Sequence, residues 1–234
     1  MKTLLFCTTH ERYPRQIKWR DYYTPRRQHF GASNLFMIDD ASLLEDLRNK
    51  VRNQVICAEA LPITLENIPP VATVRFETKL GRFGTRVYPG WWRSFLFAHT
   101  LAVRYGFKKI IHIESDAFVV STAMANCIKY INSGWSVFWC PSWKWPETSI
   151  QVICEDQYDK LTTLKNKGSA YFASSSTPIA EKILPFTTII KTYIGDRYGD
   201  RKGQIILPEH VDYLCQMDIT KIGDFEIQTE LGES

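Results

Sequence analysis

Short apolar runs alternate with amphipathic segments along the first half of the chain. Residues 3–8 and 34–38 are apolar runs that predict buried strands, and residues 13–30 between them have the spacing of a helix. Pro14 suits the first turn of that helix and Gly31 its end, while Pro25 is expected to bend or split it. This order of strand, helix and strand is typical of a parallel sheet.

The alternation continues to about residue 140. Leucines and a valine at helical spacing predict a helix after Asp40, and residues 54–57 predict a third strand. Prolines and glycines break the pattern over residues 61–90, where we expect loops around one strand at 71–76. The remaining predictions in this part are a helix over 91–105 closed by Gly106, a strand over 109–113, a helix from Ser121 or Thr122 to Gly134, and a strand over 135–139.

The second half is less regular. A loop rich in tryptophan and proline is expected over residues 141–146, followed by strands near 150–154 and 169–173. Helices are expected near 178–193 and 208–217. Because no repeat or linker divides the chain, the sequence predicts a single-domain α/β/α sandwich with a mainly parallel central sheet and a small antiparallel element.

Composition narrows the class of protein. The chain has 234 residues, of which 44% are hydrophobic, which is enough for a substantial core. The first apolar run is shorter than a signal peptide needs, and no stretch approaches the ~20 apolar residues of a membrane span. The six cysteines are scattered without a C-x-x-C pair, so we expect reduced thiols and no zinc site. These features indicate a soluble, cytoplasmic protein.

Basic residues are concentrated in one early segment, although the net charge is only +4. Residues 12–27 contain six arginines and lysines, interleaved with Trp19, Tyr22 and Tyr23. Such a segment could bind phosphates, or contact an anionic membrane peripherally through residues 15–27. A solvated helix face with Trp19 and Tyr23 in the core explains the same pattern equally well.

An acidic pair follows the strand predicted over residues 109–113. In open α/β sheets, ligands bind beyond the carboxyl ends of the strands, where Glu114 and Asp116 lie. Alternation places both side chains on one side of an extended segment, within reach of one Mg²⁺ or Mn²⁺ ion. Such an ion would neutralise charge on a departing nucleoside diphosphate. An E-x-D after a strand also occurs where carboxylates simply meet solvent or cap a helix.

Three ordered segments resemble the GT-A family of glycosyltransferases. Residues 90–120 resemble the GT-A signature of a helix, a basic turn, a buried strand and the Asp-any-Asp motif. Residues 167–174 look like the strand in which a glycine, here Gly168, lets the backbone approach the donor sugar. Residues 207–213 look like the helix start that carries an acidic residue facing the acceptor. Glu114 departs from the family's first Asp, so metal binding could depend on Asp116 alone.

The resemblance implies a metal-dependent transferase for a hexosyl or related group, with a UDP- or GDP-linked donor and a saccharide or glycoconjugate acceptor. Residues 1–120 would bind the nucleotide-sugar and residues 121–234 the acceptor. The donor-binding residues would be Thr8, Thr9, His10, Arg15, Asp39, Arg86, Arg93, Glu114, Ser115 and Gly168. Asp39 is equally explained by helix capping, and Arg93 by an ion pair with a carboxylate.

The sequence identifies the residues of the acceptor side less specifically than those of the donor side. If the enzyme inverts the anomeric carbon, Glu209 is the first choice for the base, followed by His210 and Asp212. His210 could instead be a metal ligand or a surface residue, and a retaining enzyme needs no base at this place. Trp143 and Trp145 could stack on an acceptor sugar or form a small core beneath the loop.

Three other functions are compatible with parts of the sequence. A nucleotidyltransferase that makes nucleotide-sugars shares the sheet and metal chemistry, but it usually has a glycine-rich loop after the first strand, and residues 8–13 contain no glycine. A nucleic-acid binder would use the basic segment, but no recognition module appears, so no nucleic-acid partner is expected. The third rival is a catalytically inactive relative that only binds saccharide.

Overall fold

An eight-stranded sheet lies at the centre of the computed structural model, which describes residues 1–84, 86–197 and 211–216. Its strand order is β3-β4-β2-β1-β5-β8-β7-β9. The strands are β1 (Thr3–Thr9), β2 (Asn34–Asp39), β3 (Val55–Cys57), β4 (Val71–Arg75), β5 (Lys109–Ile113), β7 (Trp135–Cys140), β8 (Trp145–Cys154) and β9 (Thr188–Ile190).

The direction of the strands determines what meets at each edge of the sheet. The first five strands are parallel, β8 runs antiparallel to both β5 and β7, and β9 is parallel to β7. Ile113 at the end of β5 pairs with Ile150. The start of β8 therefore lies beside the carboxyl ends of β1, β2 and β5, and residues from both halves of the chain meet at this edge.

Helices cover both faces of the sheet, because apolar side chains alternate between the two faces along the strands. In β1, Leu5 and Cys7 pack in one core with Trp19, while Leu4 and Phe6 pack in the other. The helices are α1 (Tyr13–Arg26), α2 (Leu44–Asp46), α3 (Pro89–Tyr105), α4 (Thr122–Tyr130), α5 (Tyr158–Lys165), α6 (Gly168–Phe172) and α7 (Ala180–Ile183). Helices α1 and α4 contribute to the first core and α3, α5 and α6 to the second, so the layers are α/β/α.

A small mixed sheet adjoins the larger one. It consists of β6 (Phe118–Val119), β10 (Gly195–Arg197) and β11 (Tyr213–Cys215), in the order β10-β11-β6. Strand β11 is parallel to β10 and antiparallel to β6. A Cβ atom on Gly195 would overlap the ring of Tyr213, so glycine at this position is what lets the ring lie against β10.

The predicted fold class is confirmed, and so are most elements before residue 140. Helix α1 ends at Arg26 and a 3-10 turn continues to Phe30, where Gly31 ends it with a φ of 65°. Ser121 caps α4 by accepting a hydrogen bond from the backbone of Met124 at 3.2 Å. Trp19 and Tyr23 are fully buried, as the core interpretation of the basic segment expected. All six cysteines are free.

Several predictions for the second half are wrong. Residues 168–172 form helix α6 rather than a strand, because Phe172 stacks on Trp92 of α3 with ring centroids 4.5 Å apart. Residues 178–193 contain the short helix α7 and strand β9 instead of one helix. Residues 213–215 form a buried strand, β11, where a helix was expected. The loop over 141–146 is shorter than expected, since β8 begins at Trp145, and α4 ends at Tyr130, before Gly134.

Candidate active site

A cavity of about 850 Å³ opens at the edge where β1, β2 and β5 end. Residues from both halves of the chain line it, including the turn after β5, the loop before α3, the start of β8 and α7. A left-handed backbone occurs in the turns after β1 and β2, at Glu11 (φ 47°) and Ala41 (φ 62°). Such conformations are costly for residues other than glycine and cluster at functional sites.

Glu114 is held rigidly in this cavity by three side chains. Thr8 donates its hydroxyl hydrogen to Oε2 at 2.9 Å, and the indole of Trp91 donates to Oε1. His112 Nε2 lies 3.3 Å from the same Oε1 atom. Burial alone would raise the pKa of Glu114, but His112 and the two hydrogen bonds outweigh it and hold the pKa below its ordinary value. Glu114 is therefore a fixed anion.

A buried chain of hydrogen bonds orients His112 behind Glu114. Gln151 on β8 accepts at Oε1 from the indole of Trp135 at 2.9 Å, so its Nε2 faces the carbonyl of Thr148 at 2.7 Å. The same Nε2 lies 3.3 Å from His112 Nδ1. Because Nε2 of Gln151 is a donor, Nδ1 must be the acceptor, which leaves the ring hydrogen on His112 Nε2, beside Glu114.

Asp116 has a different environment from Glu114. Arg15 on α1 donates from Nη1 to its Oδ2 at 2.6 Å, and Asp116 Oδ1 has no hydrogen-bond partner among the described residues. Burial and the charge of Glu114 raise the pKa of Asp116 to about 6, although Arg15 and Arg12 act in the opposite direction. The ionised form of Asp116 is therefore costly in the folded protein, and a further cation nearby would relieve that cost.

Arginines line the β1 and β2 side of the cavity. They are Arg12, Arg15, Arg82 and Arg86. Guanidinium groups bind phosphate oxygens in pairs, so this side is suited to a diphosphate. A hard cation also fits, because Asp116 has an oxygen available and Mg²⁺ is commonly bound by one or two carboxylates together with substrate phosphates. Glu114 is less suited as a direct ligand, because its oxygens already accept hydrogen bonds.

The opposite side of the cavity is formed by β8, α7 and β10. Its polar residues are Thr148, Ser149, Glu181 and Arg197, and Trp143 lies at its rim with 44% of its surface exposed. Arg197 forms ion pairs with both Glu181 and the fully buried Glu147.

Proteins similar to this chain were found by comparing structures, and not by comparing sequences. No family model matches the chain, and no curated protein matches its sequence. Two structures of the galactosyltransferase LgtC superpose on it with a TM-score of 0.51, one of an active-site mutant and one of a complex with donor and acceptor sugar analogues. They cover 91% of this chain and 86% of LgtC, at identities of 7% and 8%.

LgtC is a glycosyltransferase of the GT-A type, and its likeness decides the fold. This chain has the GT-A fold. Two other similar structures have lower TM-scores and add nothing to that assignment. A glycosyltransferase for the major capsid protein of PBCV-1 covers 96% of this chain and 98% of its own, at 9% identity and a TM-score of 0.48. The Pyrobaculum calidifontis mannosyltransferase PcManGT, in complex with GDP-Man and Mn²⁺, covers 68% and 46%, at 14% identity and 0.42.

Within this GT-A fold, the structure brings together most of the residues that the sequence singled out. Those lining the cavity are Thr8, Thr9, His10, Arg15, Arg86, Glu114, Ser115, Asp116 and Trp143. Glu209 and His210 lie outside the described residues.

Three other candidates lie outside the cavity lining and have structural partners. Asp39 is buried and accepts hydrogen bonds from Thr9 and Ser42, which fixes the turn after β2. Arg93 pairs with Asp40, the alternative that the sequence left open. Asp212 accepts from the hydroxyl of Ser121 at 2.5 Å and from the backbone of Ile194 at 2.7 Å.

Gly168 and Trp145 also lie outside the lining. The expected approach of Gly168 to a donor was based on a strand, whereas Gly168 begins helix α6. Trp145 starts β8 and lies 5.7 Å from the ammonium of Lys182, measured to the ring centroid.

Sequence reasoning missed several residues that line the cavity. Trp91 lies in the first turn of α3, Thr148 and Ser149 lie within β8, and Glu181 and Arg197 fall in segments with no clear periodicity. Trp91 offered the one usable signal, because it precedes the apolar face of α3 at the carboxyl edge of the sheet. Nothing in the sequence indicated that β8 runs antiparallel, which is what brings Thr148 and Ser149 to this edge.

Two further features concern only the described residues. No helix there is long and apolar enough to cross a membrane. A cluster of at least three His, Cys, Asp or Glu ligands occurs there at Cys57, Glu59 and Glu77, which do not line the cavity. Within residues 1–84, 86–197 and 211–216, no group of three such ligands lines the cavity.

Proposed function

We propose that this chain is a metal-dependent glycosyltransferase that moves a sugar from a UDP- or GDP-linked donor to a saccharide or glycoconjugate acceptor. The observation that supports it most is Asp116, whose carboxylate has a raised pKa and lies beside arginines in a cavity at the carboxyl edge of a GT-A sheet. Residues 1–120 supply the donor side and residues 121–234 most of the acceptor side.

Asp116 would hold Mn²⁺ or Mg²⁺ through its open carboxylate oxygen, with the diphosphate supplying further ligands. The cation supplies charge neutralisation for the departing nucleoside diphosphate. Glu114 does not leave its three partners in this proposal, and its fixed negative charge strengthens the attraction of the site for a cation.

The arginines act on the diphosphate directly. Arg12 and Arg86 line the same side as Arg15 and provide donors for phosphate oxygens. Arg15 would move from Asp116 to the diphosphate when the cation binds, since the cation then takes over as the partner of the carboxylate. Charge in the leaving group is stabilised most by donors that are already in place, which in this proposal are Arg12 and Arg86.

The acceptor hydroxyl must lose a proton in an inverting reaction. Glu209 stays the first choice for that base and His210 the second, both as predictions. Asp212 is a weaker choice than the sequence suggested, because its carboxylate already accepts hydrogen bonds from Ser121 and Ile194.

Nucleotide binding is the first test. UDP- and GDP-sugars are screened for thermal stabilisation with and without Mn²⁺, because a ligand of the native state raises the melting temperature by mass action. At 100 times its Kd, a donor adds about 2.7 kcal/mol to the free energy of unfolding. We expect at least one donor to stabilise the wild type, and more strongly with Mn²⁺.

Asp116→Ala is the decisive variant. It should remove the Mn²⁺-dependent stabilisation, sugar transfer and slow hydrolysis of the donor, while the circular dichroism spectrum stays unchanged. Asp21→Ala is the matched control, since Asp21 is exposed on the surface of α1. Full transferase activity in Asp116→Ala would refute the assignment. Tight oligonucleotide binding with a steep salt dependence and no effect of Mn²⁺ would refute it in favour of a nucleic-acid binder.

A further inference from the structure

Three charged side chains form a cluster on the β8 side of the cavity, in which Glu147 is fully buried and Arg197 and Glu181 are partly exposed. Arg197 donates from Nε to Glu147 Oε2 at 2.5 Å and from Nη2 to Glu147 Oε1 at 3.2 Å. Nη2 also donates to Glu181 Oε1 at 3.0 Å. Glu147 is fully buried and accepts further hydrogen bonds from Ser149, so its carboxylate is completely engaged.

The charges of this cluster do not cancel. Arg197 and Glu147 form a bidentate ion pair, which leaves the charge of Glu181 in excess. Glu181 Oε1 accepts from Arg197 and, at 3.3 Å, from the hydroxyl of Thr148. Glu181 Oε2 and Arg197 Nη1 have no hydrogen-bond partner within the described part of the chain. The cavity wall therefore offers one acceptor and one donor, with a net negative charge.

An exposed indole stands next to this pair. The guanidinium carbon of Arg197 lies 5.6 Å from the ring centroid of Trp143, and both residues line the cavity. An indole face packs against the C–H groups of a sugar ring, while a carboxylate and a guanidinium accept from and donate to its hydroxyls.

Strand β5 lies between this wall and the side of the cavity that is lined by arginines. Arg12 and Arg15 follow β1, whereas Thr148 belongs to β8, on the other side of β5. The cavity is thus polarised, with positive charge over β1 and β2 and a net negative charge over β8. A ligand with an anionic end and an uncharged or cationic end matches this distribution.

We propose that the β8 wall binds the acceptor as an uncharged or cationic saccharide, and that Glu181 excludes anionic sugars such as uronic acids. This inference rests on the proposed function for the presence of a donor on the opposite wall. The carboxylate of Glu181 accepts hydrogen bonds from sugar hydroxyls through Oε2 and repels a carboxylate of the ligand. Trp143 supplies the apolar contact.

The test uses the full chain and methyl glycosides of the gluco and galacto series as probes. Each series includes the neutral sugar, its 6-carboxylate and its 2-amine, and dissociation constants are measured by ligand-observed NMR titration with UDP or GDP and Mn²⁺ present. In at least one series, we expect the wild type to bind the neutral or amino sugar at least about tenfold more tightly than the carboxylate.

Glu181→Gln keeps the size of the side chain and removes its charge. The preference for the neutral over the anionic sugar should fall below about threefold in this variant, while nucleotide-induced thermal stabilisation stays as in the wild type. Glu66→Gln, on an exposed turn away from the cavity, should retain the wild-type preference. A general loss of folding would weaken the binding of all three sugars equally, and the ratio of their dissociation constants would stay as in the wild type.

Equal binding of neutral and anionic sugars by the wild type would overturn the inference, and so would the absence of binding by every probe. A preference that survives in Glu181→Gln would overturn the role of Glu181. The proposed function fails separately, if no nucleotide-sugar stabilises the protein. A charge preference that persists without nucleotide would then still support a saccharide site on this wall.

Discussion

Replacing Asp116 by asparagine is expected to make the protein more stable while removing its ability to bind a cation. The pKa of Asp116 is raised from 3.8 to about 6, mainly by burial and by the charge of Glu114. A raised pKa means that the ionised carboxylate is less favourable in the folded chain than in the unfolded chain. Asparagine has nearly the same shape and carries no charge at any pH.

The size and sign of the effect follow from linkage. Above pH 6 Asp116 is ionised in both states, and the difference between 3.8 and about 6 corresponds to a cost of about 3 kcal/mol in the folded state. Between pH 6 and 3.8 the folded carboxyl is protonated first, so this cost decreases as pH falls. Below pH 3.8 it is absent, because both states are neutral.

Asp116→Asn should therefore raise the free energy of unfolding by up to about 3 kcal/mol at pH 7.5 and by almost nothing near pH 4. For a domain of this size, that corresponds to about 6 to 12 °C in melting temperature. Urea unfolding followed by tryptophan fluorescence, at several pH values in the presence of EDTA, measures the difference directly.

Asp46 serves as the control, because its pKa is lowered whereas that of Asp116 is raised. Hydrogen bonding to Lys50 lowers the pKa of Asp46, so Asp46→Asn should reduce stability slightly at pH 7.5 rather than increase it. The reasoning would be refuted if Asp116→Asn were less stable than the wild type at pH 7.5, or if its gain stayed constant down to pH 4. If Asp116→Asn is more stable than the wild type and no longer binds a cation, Asp116 is a residue retained for binding rather than for stability.

Two further substitutions test the contacts that shape the cavity. In Gly90→Ala the new Cβ would overlap the carboxylate of Asp40 and disturb its contacts with Arg93 and Gly81, so we expect the free energy of unfolding in urea to fall by about 1–3 kcal/mol. An unchanged urea midpoint would contradict this. Gly84→Ala is the control, because its new Cβ would meet no atom within 4 Å. Gln151→Leu would leave the Trp135 indole, the Thr148 carbonyl and His112 Nδ1 without their common partner, at a cost of about 2–4 kcal/mol in the same assay. The exposed Gln54→Leu should cost far less, and equal losses in the two variants would show that the buried chain of hydrogen bonds contributes nothing.

The elements that build the donor side were predictable because each leaves a strong local pattern. Strands β1, β2 and β5 are mainly apolar runs with polar residues at or directly after their ends, and α1 and α3 have helical periodicity with a glycine at or near the end. The carboxyl end of β5 could be identified as a binding edge because parallel strands share that edge. The acidic pair followed directly from this reasoning.

Short elements of the second half were not predictable in the same way. Residues 168–172 form a helix and residues 213–215 a strand, and neither is long enough for periodicity to separate the two states. Tertiary contacts decide both. Phe172 packs on Trp92, and Tyr213 occupies space left by Gly195.

The sequence by itself determined the α/β class, the parallel half of the sheet and the position of Glu114 and Asp116 at its edge, since these depend on local pattern and on the shared direction of the strands. Only the tertiary structure decided how the two carboxylates differ. Glu114 is anchored by residues from β1, α3 and β5, whereas Asp116 meets an arginine from α1. Partners that lie up to 106 residues apart are brought together by packing, and no local pattern encodes their distances or their charges.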